Sequence, residues 1–506
     1  MFSITRHLPA AEATEELGRE IALVARPNAL IALAGELGTG KTLLARALIR
    51  ALAGNQAIDV PSPTFTLVQT YEETRVAVAH ADLYRLKGGD DLSELGLDEL
   101  IESHLLVVEW PDRLVREVTP NRLDIALQFA DEGRIATLTG YGSWTRALSR
   151  LEAIGDFLGS IRWSDAVRTF LEGDASFRRY ERLHLGGETA VLMDMPARPD
   201  GPPVKHGKPY SQIAHLAENI RAVIAVNAYL RSQGFSAPET YEADLGRGLA
   251  IIEDLGDQVF GRMLLAGRDM SDHLQEAVNL IADVAERDWP DAVPVNAGES
   301  HPIPAYDHGA LEIEVELLLE WLWPLLKKRA ASAEERESFL AAWADLLRSL
   351  TPARPVWTLR DYHSPNLIWL PGREGIARVG LIDTQDCVLG HPAYDLVSLL
   401  QDARVDIPRQ TADRLLDYYC ALRRTVARFD EGSLRLAFAV FGAQRATKIL
   451  GIFARLSRRD GKHQYLRHIP RVSGYLERNL AHPALAPLKQ WFDKHLPVEL
   501  RDCPIS

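Results

Sequence analysis

Along the first 150 residues the apolar positions switch between a helical and a strand period, and the switching predicts an α/β domain. In the segment AAEATEELGREIALVA, residues 10–25, Ala13, Leu17, Ile21 and Val24 recur at helical spacing with acids on the other face. NALIALAG (28–35) is a continuous apolar run closed by Gly35, as a parallel strand buried on both faces reads, and TLLARALIRALAG (42–54) is helical up to Gly54. Two further apolar runs end in acids, VAVAHADLYRL (76–86) at Asp82 and LLVVEWPDRL (105–114) at Glu109. Strand-like alternation stops after RIATLTGYGSWTRAL (134–148), and SRLEAIGDFLGSIRWSDAVRTFL (149–171) reads as helical. No Gly/Ser or Pro linker interrupts this stretch, so a boundary at about 148–160 joined semi-rigidly by a helix is expected.

The remaining pattern is different. LEGDASFRRYERLHLGGETAVLMDMP (171–196) reads as strands around the small-residue turn GDAS, and GFSAPETYEADLGRGLAIIEDLG (234–256) adds strand-like runs ending in Glu253 and Asp254. A sheet followed by a hinge fits this order. LEIEVELLLEWLWPLLKKR (311–329) is apolar at helical spacing, which assigns Trp321 and Trp323 to a core rather than to a sugar platform.

At 506 residues the chain is long enough for two or three cores, and 46% apolar with 25% charged residues excludes disorder and fibres. The net charge of −13 is shared by both halves, since residues 1–150 hold 15 Lys/Arg against 21 Asp/Glu. Strong direct nucleic-acid binding is excluded by that balance, because phosphate neutralisation supplies most non-specific affinity. Any service to RNA is expected to run through partner proteins. Cys387, Cys420 and Cys503 share no CxxC spacing, the N-terminus lacks a basic-then-apolar signal, and no long apolar run is present. A soluble cytoplasmic protein is expected.

Candidate chemistry falls in two places. Gly35, Glu36, Leu37, Gly38, Thr39, Gly40, Lys41 and Thr42 spell G-x-x-x-x-G-K-T between a strand and a helix. There backbone N–H groups cradle a nucleotide's phosphates, Lys41 reaches the β/γ oxygens and Thr42 offers its hydroxyl to Mg²⁺. Asp82 and Glu109, at strand ends, are carboxylates for the same Mg²⁺, or else cap a turn or pair with an arginine. More than three hundred residues on, LRDYHSPNLIWL (359–370) sets Asp361 five positions before Asn366, and VGLIDTQDCVLGHPAYDL (379–396) ends an apolar run at Asp383. In kinase chemistry the first Asp accepts the acceptor's hydroxyl proton, the Asn holds one Mg²⁺, and the later Asp bridges metal to phosphate. His363 either contacts substrate or packs. His301, Asp307 and His308 are assigned no metal.

The motifs GELGTGKT, SPTFTLVQTY (62–71), HADLYRL (80–86) and VVEWPDRL (107–114) together resemble the TsaE family, the ATPase component of bacterial tRNA threonylcarbamoyladenosine biosynthesis. The resemblance implies a P-loop domain over residues 1–150 with SPTF as a switch, and Thr42, Asp82 and Glu109 grouped around Mg²⁺ with Lys41 and Glu109 in catalysis. It also implies TsaB/TsaD-like partners that modify adenosine 37 of tRNA. DASFRRY, LMDMP, IIEDLG, RDYHSPN and LIDTQD resemble the aminoglycoside phosphotransferase and choline kinase superfamily, and within it the AmgK-like amino-sugar anomeric kinases. That resemblance implies an N-lobe with hinge over 160–256, a C-lobe over 257–506, nucleotide contacts at the hinge residues Glu253 and Leu255, and phosphorylation of the anomeric hydroxyl of N-acetylmuramate and N-acetylglucosamine. One departure stands out. Met193 occupies the place of the usual third-strand lysine, so Arg178 or Arg179 is the candidate for the missing charge.

The expected architecture is an α/β P-loop NTPase domain followed by an α+β bilobal, protein-kinase-like (aminoglycoside phosphotransferase) domain. Both parts are expected to use ATP and Mg²⁺. Alternatives for the second half are a kinase for another small hydroxylated acceptor, such as an aminoglycoside or choline-like alcohol, or a degenerate nucleotide-binding regulatory module.

Overall fold

Successive residues of a strand point to opposite faces, and the apolar runs of the first half use both. In the computed structural model, which describes residues 1–86, 95–113, 119–171, 178–199, 201–348, 350–352, 354–426 and 429–501, contacts divide the chain into two compact units, Met1–Asp194 and Met195–Ser506.

The first unit is built on β1 (Phe2–Leu8), α1 (Ala11–Val24), β2 (Ala29–Gly35), α2 (Lys41–Ala53), β3 (Val68–Tyr71), β4 (Val78–Asp82), α3 (Leu97–Leu100), β5 (Leu105–Glu109), β6 (Arg122–Phe129), β7 (Arg134–Gly140) and α4 (Ser143–Gly159). Seven strands form one sheet in the order β1-β7-β6-β2-β5-β4-β3, with β6, β2, β5 and β4 mutually parallel. Ile31, Leu33, Val78, Leu105 and Val107 enter one core with α1 and α2, while Leu30, Ala32, Ala79, Leu106 and Val108 enter a second core on the opposite face. Alternation through continuous apolar runs therefore gives two cores from one set of strands.

The connection differs from its expected form. Helix α4 stops at Gly159, and Val167–Leu171 is a strand, β8, rather than the end of a helix. The β-branched Val167 and Thr169 suit a strand, but Arg168 is the one buried residue of the five, so the segment carries no alternation that would mark it as a strand. β8 pairs antiparallel with β9 (Arg179–Leu185), which pairs with β10 (Glu188–Asp194). The GDAS turn lies outside the described residues. Arg168 is held by both oxygens of Glu181 on β9, at 2.7 and 3.2 Å, and by Glu20 on α1 at 3.3 Å.

In the second unit the hairpin Thr240–Asp244/Leu249–Glu253 is followed by helices and two short antiparallel pairs, Val356–Thr358 with Val388–Gly390 and Leu367–Trp369 with Val379–Leu381. The 30-residue helix Glu431–Asp460 is the one described helix long and apolar enough to cross a membrane, yet it is the central core helix of this unit, with 78% of its apolar window buried. It approaches the helix His308–Leu317 so closely that a Cβ on Gly451 would sit 2.4 Å from the Leu317 carbonyl carbon. The helical run 311–329 is broken by a π turn at Leu318–Leu322 before Pro324, and Trp323 is fully buried. Asp307 caps His308–Leu317 by accepting from Ala310 N at 2.8 Å and pairs with His215 at 3.0 Å. Cys387 and Cys420 are buried free thiols, and Cys503 lies outside the described residues.

Candidate active sites

Parallel register brings the ends of β2, β4 and β5 to one edge of the first sheet, with Asp82 paired to Glu109 and Leu33 paired to Glu109. Gly35 leaves β2 at φ 142°, where a Cβ would lie 2.4 Å from the Leu127 carbonyl oxygen, so only glycine lets the chain turn here. The loop delivers α2 with no side-chain cap, leaving its first N–H groups directed at the loop, an arrangement that favours an anion. Thr39 closes the turn by donating to Glu36 O at 2.9 Å, Arg134 donates to Gly38 O at 3.3 Å, and Leu37 is exposed.

The charged groups of this edge are interlocked. Lys41 donates to the carbonyls of Gly35 at 2.8 Å and Glu36 at 2.9 Å, and its ammonium lies 3.8 Å from the centre of the Trp110 ring. Burial lowers its pKa, and the carboxylates of Glu109 and Asp82 oppose that fall. Thr42 Oγ1 donates to Glu109 Oε2 at 2.9 Å, and the other oxygen of Glu109 meets His80 Nε2 at 3.0 Å. Asp82 accepts from Ser62 Oγ at 2.7 Å and from Tyr84 N at 3.0 Å. Lys41, Thr42, Asp82 and Glu109 are thus brought together, and the SPTF segment joins them through Ser62. Ser62, His80 and Trp110 were not among the expected site residues. His80 stands two positions before Asp82 and so shares its strand face, which is the signal that could have found it.

In the second unit the Leu367↔Leu381 register sets Asn366 beside Ile382, whose N–H donates to Asn366 O at 3.1 Å, one residue before Asp383. Asn366 Nδ2 in turn donates to the Asp361 carbonyl at 3.1 Å, so Asp361, Asn366 and the Asp383 turn are locally tied. Arg360 and Asp383 both take positive φ, 65° and 59°. Asp395 holds the strained turn at Arg360 by accepting from Leu359 N at 2.7 Å and Arg360 N at 2.9 Å, while burial pushes its carboxyl up to about 7. Asp402 does the same for the far side, accepting from Ser364 N at 2.9 Å and Ser364 Oγ at 2.5 Å.

Beneath the loop lies a buried ionic core. Glu314, fully buried, accepts from Arg360, from Lys448 at 2.7 Å, from Tyr306 at 2.6 Å and from Gln444 at 2.9 Å. Burial alone raises a carboxyl, but the Lys448 and Arg360 cations outweigh it and hold Glu314 at about 2. Asp361 is also lowered. Burial opposes this, and His363, Lys448, Arg360 and Arg445 overcome it. His363 is itself pushed down to about 4, by burial first and then by Arg404, so at neutral pH the arginines and Lys448 carry the effect on Asp361. The Asp361 side chain remains 45% exposed, as a group that must meet an acceptor requires.

The remaining expected residues fall as follows. Glu253 is clasped between Arg231 at 2.9 Å and Arg373 at 2.5 Å, which leaves backbone rather than carboxylate to meet a nucleotide; Leu255 packs near Gly380. Strand register pairs Met193 with Tyr180 and Asp194 with Arg179, so Arg179 lies on the face opposite Met193, where Asp194 and Glu181 are its acidic neighbours. Arg182, by the same alternation, shares the Met193 face, as does the position of Arg178 just before the strand. Among the described residues no cluster of three His, Cys, Asp or Glu side chains forms a self-contained metal cage. The sites instead offer isolated carboxylate, amide and hydroxyl oxygens, which suit a Mg²⁺ completed by phosphate oxygens.

Comparison with known proteins matches both regions. Residues 8–136 match the model of the threonylcarbamoyl adenosine biosynthesis protein TsaE, and residues 167–435 match that of the phosphotransferase enzyme family. An N-acetylmuramate/N-acetylglucosamine kinase of Caulobacter vibrioides is 38% identical over 71% of this chain and 99% of its own length. The kinase of the same name from Pseudomonas putida is 30% identical over 67% of this chain and 91% of its own. A tRNA threonylcarbamoyladenosine biosynthesis protein TsaE of Rickettsia felis is 35% identical over 24% of this chain and 71% of its own.

Proposed function

This chain belongs to the phosphotransferase enzyme family with a TsaE domain fused at its N-terminus, and from that premise we propose that it is a bifunctional, MgATP-using enzyme of the cytoplasm. The N-terminal part hydrolyses ATP in support of threonylcarbamoylation of adenosine 37 in tRNA, acting with TsaB/TsaD-like partners. The C-terminal part transfers the γ-phosphoryl group of ATP to the anomeric hydroxyl of N-acetylmuramate or N-acetylglucosamine. The functional division falls at 148–160, with the P-loop part over 1–150, an N-lobe over 160–256 and a C-lobe over 257–506; the gap between the matched segments 8–136 and 167–435 supports that division.

In the first part Thr42, Asp82 and Glu109 would hold Mg²⁺, which would supply charge neutralisation at the phosphates. Lys41, which rests on the Gly35 and Glu36 carbonyls, would turn to the β/γ oxygens of a bound nucleotide, and Glu109, hydrogen-bonded to His80, would activate the water. Movement of the SPTF segment reaches the metal edge through the Ser62–Asp82 hydrogen bond. In the second part Asp361 orients the acceptor hydroxyl and takes its proton, and Asn366 and Asp383 would hold the metal.

The observation that carries the kinase reading is the Asp361 loop, ionised, half-exposed and braced by Asp395, Asp402 and the Glu314 core. A degenerate module has no need to keep such bracing, and the relatives favour an amino-sugar acceptor over an aminoglycoside or choline-like one. Incubating the purified chain with MgATP and either amino sugar should yield ADP and the sugar 1-phosphate. Absence of product across a broad sugar and amino-alcohol panel would make the regulatory-module reading the correct one.

A further inference from the structure

The surroundings of Asp361 in the second unit are basic: Arg360, Lys448 and Arg445 all act on it, and His363 links it to Arg404. Arg404 Nη1 lies 3.2 Å from His363 Nε2, and that imidazole nitrogen lies 3.9 Å from Asp361 Oδ1, so the guanidinium stands no more than about 7 Å from the carboxylate. That separation is on the scale of one pyranose ring with a short substituent. Its position is fixed by backbone: Asp402, which grips Ser364 in the catalytic loop, also accepts from Arg404 N at 2.8 Å. Behind it, Arg471 donates to Ala403 O at 3.2 Å and contacts His468 Nδ1 at 3.2 Å, and Arg467 contacts the other ring nitrogen of His468 at 3.3 Å. Burial and these three arginines hold His468 at about 4, so the imidazole is neutral and adds no charge. The acids facing the cluster are Asp402, buried and committed to the catalytic loop, and the exposed Asp406, 4.0 Å from Arg471. A rim of this sign disfavours a polycationic acceptor and suits one bearing an anion.

We propose that Arg404, backed by Arg471, binds a carboxylate on the acceptor, and so makes this site discriminate for an acidic amino sugar over its neutral counterpart. The inference rests on the amino-sugar kinase reading above. Under it, the anionic group is the lactyl carboxylate that N-acetylmuramate carries and N-acetylglucosamine lacks. A guanidinium recognises a carboxylate through paired N–H donors, a geometry that lysine does not reproduce.

The test compares three acceptors on the full chain: N-acetylmuramate, its neutral methyl ester, and N-acetylglucosamine, with the 1-phosphate as product. For the parent, esterification should lower kcat/KM at least tenfold, through KM. Arg404→Ala and Arg404→Lys should lower kcat/KM for N-acetylmuramate at least tenfold more than for N-acetylglucosamine, and esterification should then cost the variants less than about threefold. The ester arm needs no variant, so the proposal stays testable if Arg404→Ala folds poorly. Equal losses for both sugars would make Arg404 a positioning residue for His363 and Asp361 and overturn the proposal, as would a parent indifferent to the ester. If the parent phosphorylates neither sugar, the kinase reading fails first and the inference with it.

Discussion

Replacing Glu314 by Gln removes the carboxylate that both Arg360 and Lys448 donate to. Its carboxylate serves Arg360, Lys448, Tyr306 and Gln444 together, and it is completely buried. Its pKa falls from 4.5 to about 2 on folding. At 1.36 kcal/mol per unit the shift corresponds to about 3 kcal/mol, which agrees with the roughly 3–5 kcal/mol lost when one partner of a buried ion pair is deleted. Because the folded pKa is depressed, this stabilisation is fully present above the unfolded value of 4.5 and is lost as pH falls through about 2. Glu314→Gln should therefore unfold at lower urea concentration at neutral pH, by about 3 kcal/mol, and the gap to the parent should narrow progressively below pH 4.5. Urea titrations followed by circular dichroism at several pH values measure this directly. Kinase turnover should fall as well, since Arg360 immediately precedes Asp361. A loss below about 1 kcal/mol at neutral pH, or a loss that stays constant down to about pH 3, would show that the Arg360 and Lys448 charges are not held by Glu314 as described.

Three further outcomes are expected. Lys41→Ala should abolish ATP hydrolysis by the N-terminal part while sugar phosphorylation persists; loss of both in a folded protein would refute independent sites. Asp361→Asn should depress kinase turnover by about 10²–10⁴-fold with MgATP binding retained, whereas Asp383→Asn should also weaken metal-dependent nucleotide binding, as isothermal titration would show. Arg168→Met should cost roughly 3 kcal/mol or more, because it leaves the buried Glu181 and the half-buried Glu20 near each other without their shared cation; an unchanged melting temperature would contradict this.

What the sequence determined by itself was local. Glycines, Lys41 and Thr42 at fixed spacing, acids closing apolar runs, and Asp361 with Asn366 five residues on all lie within one turn or strand end, where the backbone alone sets which groups can meet. The family resemblances rested on these same short segments. The helix predicted through residue 171 failed for the complementary reason: a five-residue strand such as β8 acquires its identity from the partner that pairs with it, and the partner lies beyond the turn. Tertiary structure alone decided which distant group each charge faces. His80 finds Glu109, Glu314 finds Arg360 and Lys448, and Arg404 finds His363, each across tens of residues of chain. It also decided which face Arg179 occupies, since alternation becomes a direction only after register pairs the strand with Asp194 rather than Met193. Burial and opposite charge, which set the pKa of Asp361 and the sign of the acceptor rim, are properties of that packing and have no counterpart in spacing along the chain.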